Sequence, residues 1–356
     1  MATLSRSIGQ AFDGGERRRL GGLFSAVLLL HVLGWGLLIA YRIGHPAFLG
    51  LGGLAYTFGL RHAFDADHIS AIDNTTRKLL QEGKRPVAVG FFFSLGHSTV
   101  VFLIAVLLGF AVKTIVQSVV NDTGELKHIG GLLGTSVSGV FLVVIGLLNL
   151  LILLDILRVY RRMRRGEYDR GSLHHELVAG GLMTRVFGRL FRIVSSSWHL
   201  YPIGFLFGLG FDTASEVALL AVSAGAAASG VPFLAVISLP LIFAAGMSLM
   251  DTADGAFMSK AYSWAFSNPI RKVFYNLTVT SLSVFVALFV GVVELSQILI
   301  RVLELRGGVF DFVTGLDFGT LGFVIVAAFV VTWVIAFTIF KVRRVEERWS
   351  ELVAGK

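Results

Sequence analysis

Arg61-His62-Ala63-Phe64-Asp65-Ala66-Asp67-His68-Ile69 stands inside an apolar run, about residues 47–73, long enough to cross a bilayer. Two imidazoles, two carboxylates and a guanidinium are expensive in hydrocarbon, so such a group of ionisable residues marks a functional site. Histidine with carboxylate is a ligand set for a first-row divalent metal. The stretch therefore asks for a membrane around it and a cation within it.

The rest of the chain supplies the membrane. Its 356 residues are 55% hydrophobic and 15% charged, with 30 phenylalanines and a mean hydropathy of +0.77, the composition of a polytopic membrane protein. Eight apolar runs predict spans at about 20–41, 47–73, 87–111, 130–157, 199–223, 232–258, 274–300 and 318–340. The fold class expected is all-α, with the lipid bilayer as solvent. The first run is too long for the core of a cleaved signal peptide and is expected to stay as a span.

Charge sets the orientation. With the N-terminus cytoplasmic, the inner segments carry Arg17–Arg19, Arg77, Lys78, Lys84, Arg85, the basic 158–198 loop, Lys260, Arg271, Lys272, Lys341, Arg343 and Arg344. The outer ones carry only Arg42, Lys113, Lys127, Arg301 and Arg306. Both termini are thus expected inside. The net charge of +8 follows this topology and does not point to nucleic acid. Absence of cysteine excludes disulfides and thiolate ligands.

An internal repeat is legible at an offset of about 150 residues. Phe58-Gly59-Leu60 recurs as Phe207-Gly208-Leu209, and Phe93-Ser94-Leu95-Gly96-His97-Ser98 as Phe243-Ala244-Ala245-Gly246-Met247-Ser248. Three spans separate the members of each pair, so they run in opposite directions. Spans 1–3 and 4–6 are expected to form an inverted repeat, an architecture of secondary transporters with a midplane site.

In a regular helix His62, Asp65 and His68 would lie within about 120° of one another, one face of N, O and N donors. Asp67 would point away, either orienting a ligating imidazole or marking a local irregularity. His97, on span 3, falls at the same depth as His62, on the order of 15 Å from the cytoplasmic end. The candidate metal ligands are His62, Asp65, Asp67, His68 and His97. Arg61, four residues before Asp65, is a candidate counter-ion. His31, Asp212, Glu216, Asp251 and Asp254, also within spans, are candidate pathway or secondary residues. Neither a G-x-x-x-x-G-K-[ST] phosphate loop nor an H-E-x-x-H motif is present, so neither nucleotide hydrolysis by that route nor a zinc protease is indicated.

At these residues the chain resembles the nickel/cobalt transporter (NiCoT) family of bacterial and fungal permeases. Its R-H-x-x-D-A-D-H-I hallmark stands at Arg61–Ile69, and its other motifs resemble Phe93–Val101, Leu209–Glu216 and Gly246–Asp254. The resemblance implies a multi-pass protein of the cytoplasmic (inner) membrane that imports Ni²⁺ and Co²⁺ with high affinity and low capacity. It implies no catalytic cofactor and no enzyme activity. An intracellular metallochaperone is a candidate receiver of the metal. His31 stands where some members carry asparagine, a difference that favours acceptance of cobalt. The alternatives are transport or export of another divalent metal, and a membrane metalloenzyme.

Overall fold

The computed structural model describes residues 12–41, 48–110, 125–165, 194–209, 219, 223, 226 and 231–354. Among these residues the chain is helical and contains no strand. Helices α1 (Gly14–Tyr41), α2 (Phe48–His62), α3 (Ala66–Gln81), α4 (Val89–Phe110) and α5 (Glu125–Arg164) come first. A 3₁₀ turn (Ser197–His199) leads into α6 (Leu200–Phe207), followed by α7 (Phe233–Phe266) and α8 (Pro269–Tyr275). A π-helical turn (Asn276–Thr280) joins α8 to α9 (Ser281–Val302); α10 (Val309–Thr314), α11 (Phe318–Val342) and α12 (Val345–Ala354) complete the fold. Among the described residues six segments are long and apolar enough to cross a membrane: Gly14–Tyr41, Val89–Leu107, Thr135–Arg164, Phe233–Phe266, Val273–Val302 and Thr320–Val342. The chain is a multi-pass, all-helical membrane protein. Residues 210–218 and 220–222 of the expected fifth span, and most of the 158–198 loop, lie outside the described residues.

The run expected as one second span is two helices. The amides of Phe64 and Asp65 turn back onto the carbonyls of Arg61 (3.0 Å) and His62 (2.9 Å), and Asp65 is extended (φ −67°, ψ 147°). The chain restarts as α3 with Asp67 in its first turn, where a carboxylate offsets the positive end of the helix. Irregular backbone at membrane depth is tolerated when protein covers it. Here the cover is α11: a Cβ at Gly322 would lie 1.6 Å from the Phe64 carbonyl oxygen, and Phe323 stacks on Phe64.

Helix α3 is polar yet interior, enclosed by α5, α7, α9 and α11. It runs on to Gln81, so Arg77 and Lys78, expected in an inner loop, are fully buried helical residues. The reason is that Arg77 finds its own partners. Its guanidinium donates to Thr280 Oγ1 (2.7 Å), Ser283 Oγ (2.8 Å) and the Tyr262 hydroxyl, and it pairs with Asp73 at 3.4 Å. Tyr262 and Ser283 also donate to the Asp73 carboxylate. Lys78 Nζ donates to the Val194 carbonyl and to Glu82.

Close helix crossings are made at small residues, the packing mode available where lipid removes the hydrophobic drive. A Cβ at Gly59 would lie 2.1 Å from the Phe243 carbonyl oxygen, and one at Gly246 would lie 2.9 Å from that of Tyr56. Likewise a Cβ at Gly204 would lie 2.1 Å from the Phe93 carbonyl oxygen, and one at Gly96 2.0 Å from that of Tyr201. The two crossings match as Tyr56-x-x-Gly59 with Tyr201-x-x-Gly204, one helical turn before the Phe207-Gly208-Leu209 match in the sequence. Gly59→Val is expected to force α2 from α7 and cost about 1–3 kcal/mol, read as a lower melting temperature of the purified protein in detergent. An unchanged melting temperature would show that the crossing yields without strain.

Candidate metal centre

The break between α2 and α3 and the middle of α4 bring three imidazoles together. His62 ends α2, His68 lies in the first turn of α3, and His97 projects from α4. All three are buried, at 1%, 0% and 2% exposure. One nitrogen from each lies within 4.8 Å of the others, and His62 Nε2 and His97 Nε2 are 2.9 Å apart. A first-row ion held at about 2.0–2.1 Å by each of two nitrogens sets adjacent ligands roughly 2.9–3.4 Å apart. The spacing of His62 and His97 fits that requirement.

The far side of two rings is held by carboxylates. His62 Nδ1 lies 2.8 Å from Asp65 Oδ2, and His68 Nδ1 lies 3.2 Å from Asp251 Oδ2. An ionised carboxylate only accepts, so the proton belongs on Nδ1 and the lone pair of Nε2 turns into the cluster. This is the usual support of a metal-ligating imidazole, fixing its tautomer and orientation. Phe93 meets the His68 ring edge-on at 4.8 Å, and Phe243 lies 5.6 Å from His62. These two phenylalanines occupy matched positions of the repeated motif, and together they wall the cluster with apolar surface.

Asp65 carries a second contact outward. Its Oδ1 faces Arg61 Nη1 at 3.7 Å, and Arg61 Nη2 faces Asp317 Oδ2, at the start of α11, at 3.9 Å. Asp67 is half-buried, and its Oδ1 accepts the backbone amide of His68 (2.9 Å). His31 is engaged elsewhere, with Nδ1 on the Val27 carbonyl (2.9 Å) and Nε2 on the Tyr56 hydroxyl (3.2 Å). Asp254 lies half-buried one turn beyond Asp251 on α7. Asp212 and Glu216 lie outside the described residues.

The sequence reading places Asp251 among the secondary residues and Arg61 as the counter-ion of Asp65. The structure brings Asp251 onto His68 and leaves Arg61 31% exposed, while Arg77 is fully buried. A signal for Arg77 existed: Asp73 precedes it by four residues, the spacing of a same-face helical pair.

Residues 48–339 match the sequence model of the NicO family, described as "High-affinity nickel-transport protein". The Mycobacterium tuberculosis protein named nickel transporter NicT is 52% identical over 355 residues, 97% of this chain and 95% of that protein. Nickel transporter NixA of Staphylococcus aureus is 50% identical over 324 residues, covering 91% and 95%. The protein of Rhodococcus rhodochrous named cobalt transport protein NhlF is 43% identical over 334 residues, covering 92% and 93%. No solved structure matches the chain.

Proposed function

We propose that this chain, which belongs to the NicO family of high-affinity nickel-transport proteins, imports Ni²⁺ and Co²⁺ across the cytoplasmic membrane through the His62–His68–His97 cluster. The named activity of its relatives is transport, not catalysis, and the metal is cargo, with no resident cofactor. The observation that carries the assignment of the site is the convergence of three buried imidazoles from two sides of a break in one span and from its neighbour. Asp65 and Asp251 orient His62 and His68. Nitrogen and oxygen donors of this kind would hold copper more tightly than nickel, so geometry and metal supply set selectivity.

Eight spans with both termini cytoplasmic, built on an inverted repeat of spans 1–3 and 4–6, complete the reading. Support comes from the paired glycine crossings of α2 with α7 and of α4 with α6. Rocking of one repeat against the other would then alternate access to the midplane. Membrane potential favours inward movement of a dication by about 4.6 kcal/mol at 100 mV.

The deciding experiment is uptake of radiolabelled Ni²⁺ and Co²⁺ by cells producing the protein, with Mn²⁺, Zn²⁺ and Fe²⁺ as competitors. Accumulation of one or both labels above vector control, resistant to moderate excess of the competitors, is expected. Accumulation of neither label would sink the import reading, and strong competition by Mn²⁺ or Fe²⁺ would reassign the cargo.

A further inference from the structure

The end of the bundle where α1 begins carries a cavity in which the histidine cluster has no part. It measures about 600 Å³ and is lined by three separate parts of the chain: the start of α1, the turn from α3 to α4, and α7. A volume of this order suits a small ligand. Four basic side chains line it, Arg17, Lys84, Arg85 and Lys260, against two acidic ones, Asp13 and Glu16. Both acids are engaged at the start of α1. The amide of Glu16 donates to Asp13 Oδ1 (2.8 Å) and that of Asp13 to Glu16 Oε2 (3.0 Å), and Asp13 also pairs with Arg85. Lys84 Nζ donates to Glu82 Oε2 (2.6 Å). Among the described residues Arg17 and Lys260 have no carboxylate partner. Lys260 Nζ instead lies 5.4 Å from the centre of the Phe12 ring, a contact that holds the ammonium without neutralising it.

We propose that this cavity binds a phosphate group, that of an anionic phospholipid headgroup. A guanidinium and an ammonium with no protein anion between them are matched by the oxygens of a phosphate, the guanidinium in bidentate fashion and the ammonium as a point charge. Basic pockets between membrane helices at a membrane surface take headgroups of this kind. The same chemistry would accept free phosphate, and the surface of α1 decides for the lipid. Counting along α1 from Arg17, Phe24, Leu28 and Val32 lie within about 60° of it, and they are 36%, 62% and 60% exposed. Between Arg17 and Phe24 stands Gly21, with open space where a side chain would be. A phosphate on Arg17 thus heads an exposed apolar stripe along which an acyl chain can lie.

A headgroup seated there would tie α1 to the elements beside it. Arg85 stands just before α4, the helix of His97, and Lys260 lies on α7, the helix of Asp251. The proposal itself does not depend on what the histidine cluster binds.

The test is native mass spectrometry of the purified full-length protein, titrated in detergent with phosphatidylglycerol or with zwitterionic phosphatidylcholine. Each basic side chain at a charged surface is worth about fivefold in binding. The wild type is therefore expected to prefer phosphatidylglycerol about 25-fold, and the double variant Arg17→Gln, Lys260→Gln to fall to near parity. A control removes the same charge elsewhere: Lys341→Gln with Arg343→Gln, both exposed at the end of α11 and outside the cavity, should keep the wild-type preference. Equal loss in both double variants would reduce the effect to general surface charge and overturn the site, as would a wild type without preference. Ser263→Glu guards against misfolding of the glutamine variant. It places an anion at an exposed position in the lining and should also abolish the preference; a retained preference there overturns the site. Excess inorganic phosphate separates the two sources. Phosphatidylglycerol that stays bound supports the lipid, whereas its displacement overturns the lipid assignment in favour of a soluble phosphate.

Discussion

His68→Ala is expected to lower Ni²⁺ uptake at limiting metal by about a hundredfold or more, at matched membrane levels. Loss of an outer-shell support alone costs about 10–100-fold in affinity at metal sites, and His68 supplies a ring of the cluster itself. Asp251→Asn should fall within that 10–100-fold range, because it leaves all three imidazoles and weakens only the hold on His68 Nδ1. The ordering matters more than either value. Because a neutral amide can still accept a ring N–H, Asp251→Asn should retain saturable uptake at high metal, whereas His68→Ala should not. Undiminished uptake by His68→Ala would move the site to Asp212, Glu216 and Asp254. The measurement is initial uptake rate against metal concentration, with protein amount fixed by immunoblot.

The second large effect concerns architecture. Arg77→Met strands the fully buried Asp73 without its cationic partner, and breaking one half of a buried pair costs about 3–5 kcal/mol. Tyr262→Phe removes a single hydroxyl from the same cluster, and about 1–3 kcal/mol is expected from it. Asp73→Asn combined with Arg77→Met should recover part of the loss, since no bare charge is left inside. Folded yield and melting temperature in detergent read all three. Should Arg77→Met melt like wild type yet fail to transport, the cluster would be part of the transport cycle and not of the scaffold.

The fold class was legible because hydropathy is summed over some 20 residues at a time and tolerates local exceptions. The same averaging hid the break at Ala63–Asp65. The R-H-x-x-D-A-D-H spacing also satisfies one face of an unbroken helix, and nothing in residue order shows that Asp65 adopts an extended conformation. His97 could be matched to His62 by depth, since depth follows from counting along a helix. Asp251 could not be matched to His68, 183 residues away, because the rotation of α7 about its axis is set by packing at Gly246 and its neighbours. Arg77 was hidden for the opposite reason. Hydropathy falls after residue 73, and a polar helix wrapped by four others reads locally like a loop. His31 is a half-buried imidazole satisfied by a backbone carbonyl and a tyrosine.

Helix α3 has a consequence for how the chain is made. Ser70, Asp73, Asn74, Thr75, Thr76, Arg77 and Lys78 are all fully buried, and a segment so polar cannot partition into lipid by itself. Helix α2, with 15 residues, is about 22 Å long and falls short of the roughly 30 Å of hydrocarbon. Neither piece can settle in the bilayer when it leaves the ribosome. The groups that make α3 acceptable there arrive far later: Tyr262 follows Arg77 by 185 residues, and Ser283 follows it by 206. The α2–α3 segment is therefore expected to settle in the membrane only after the C-terminal half has been translated, which would make insertion of the two halves a single, late event.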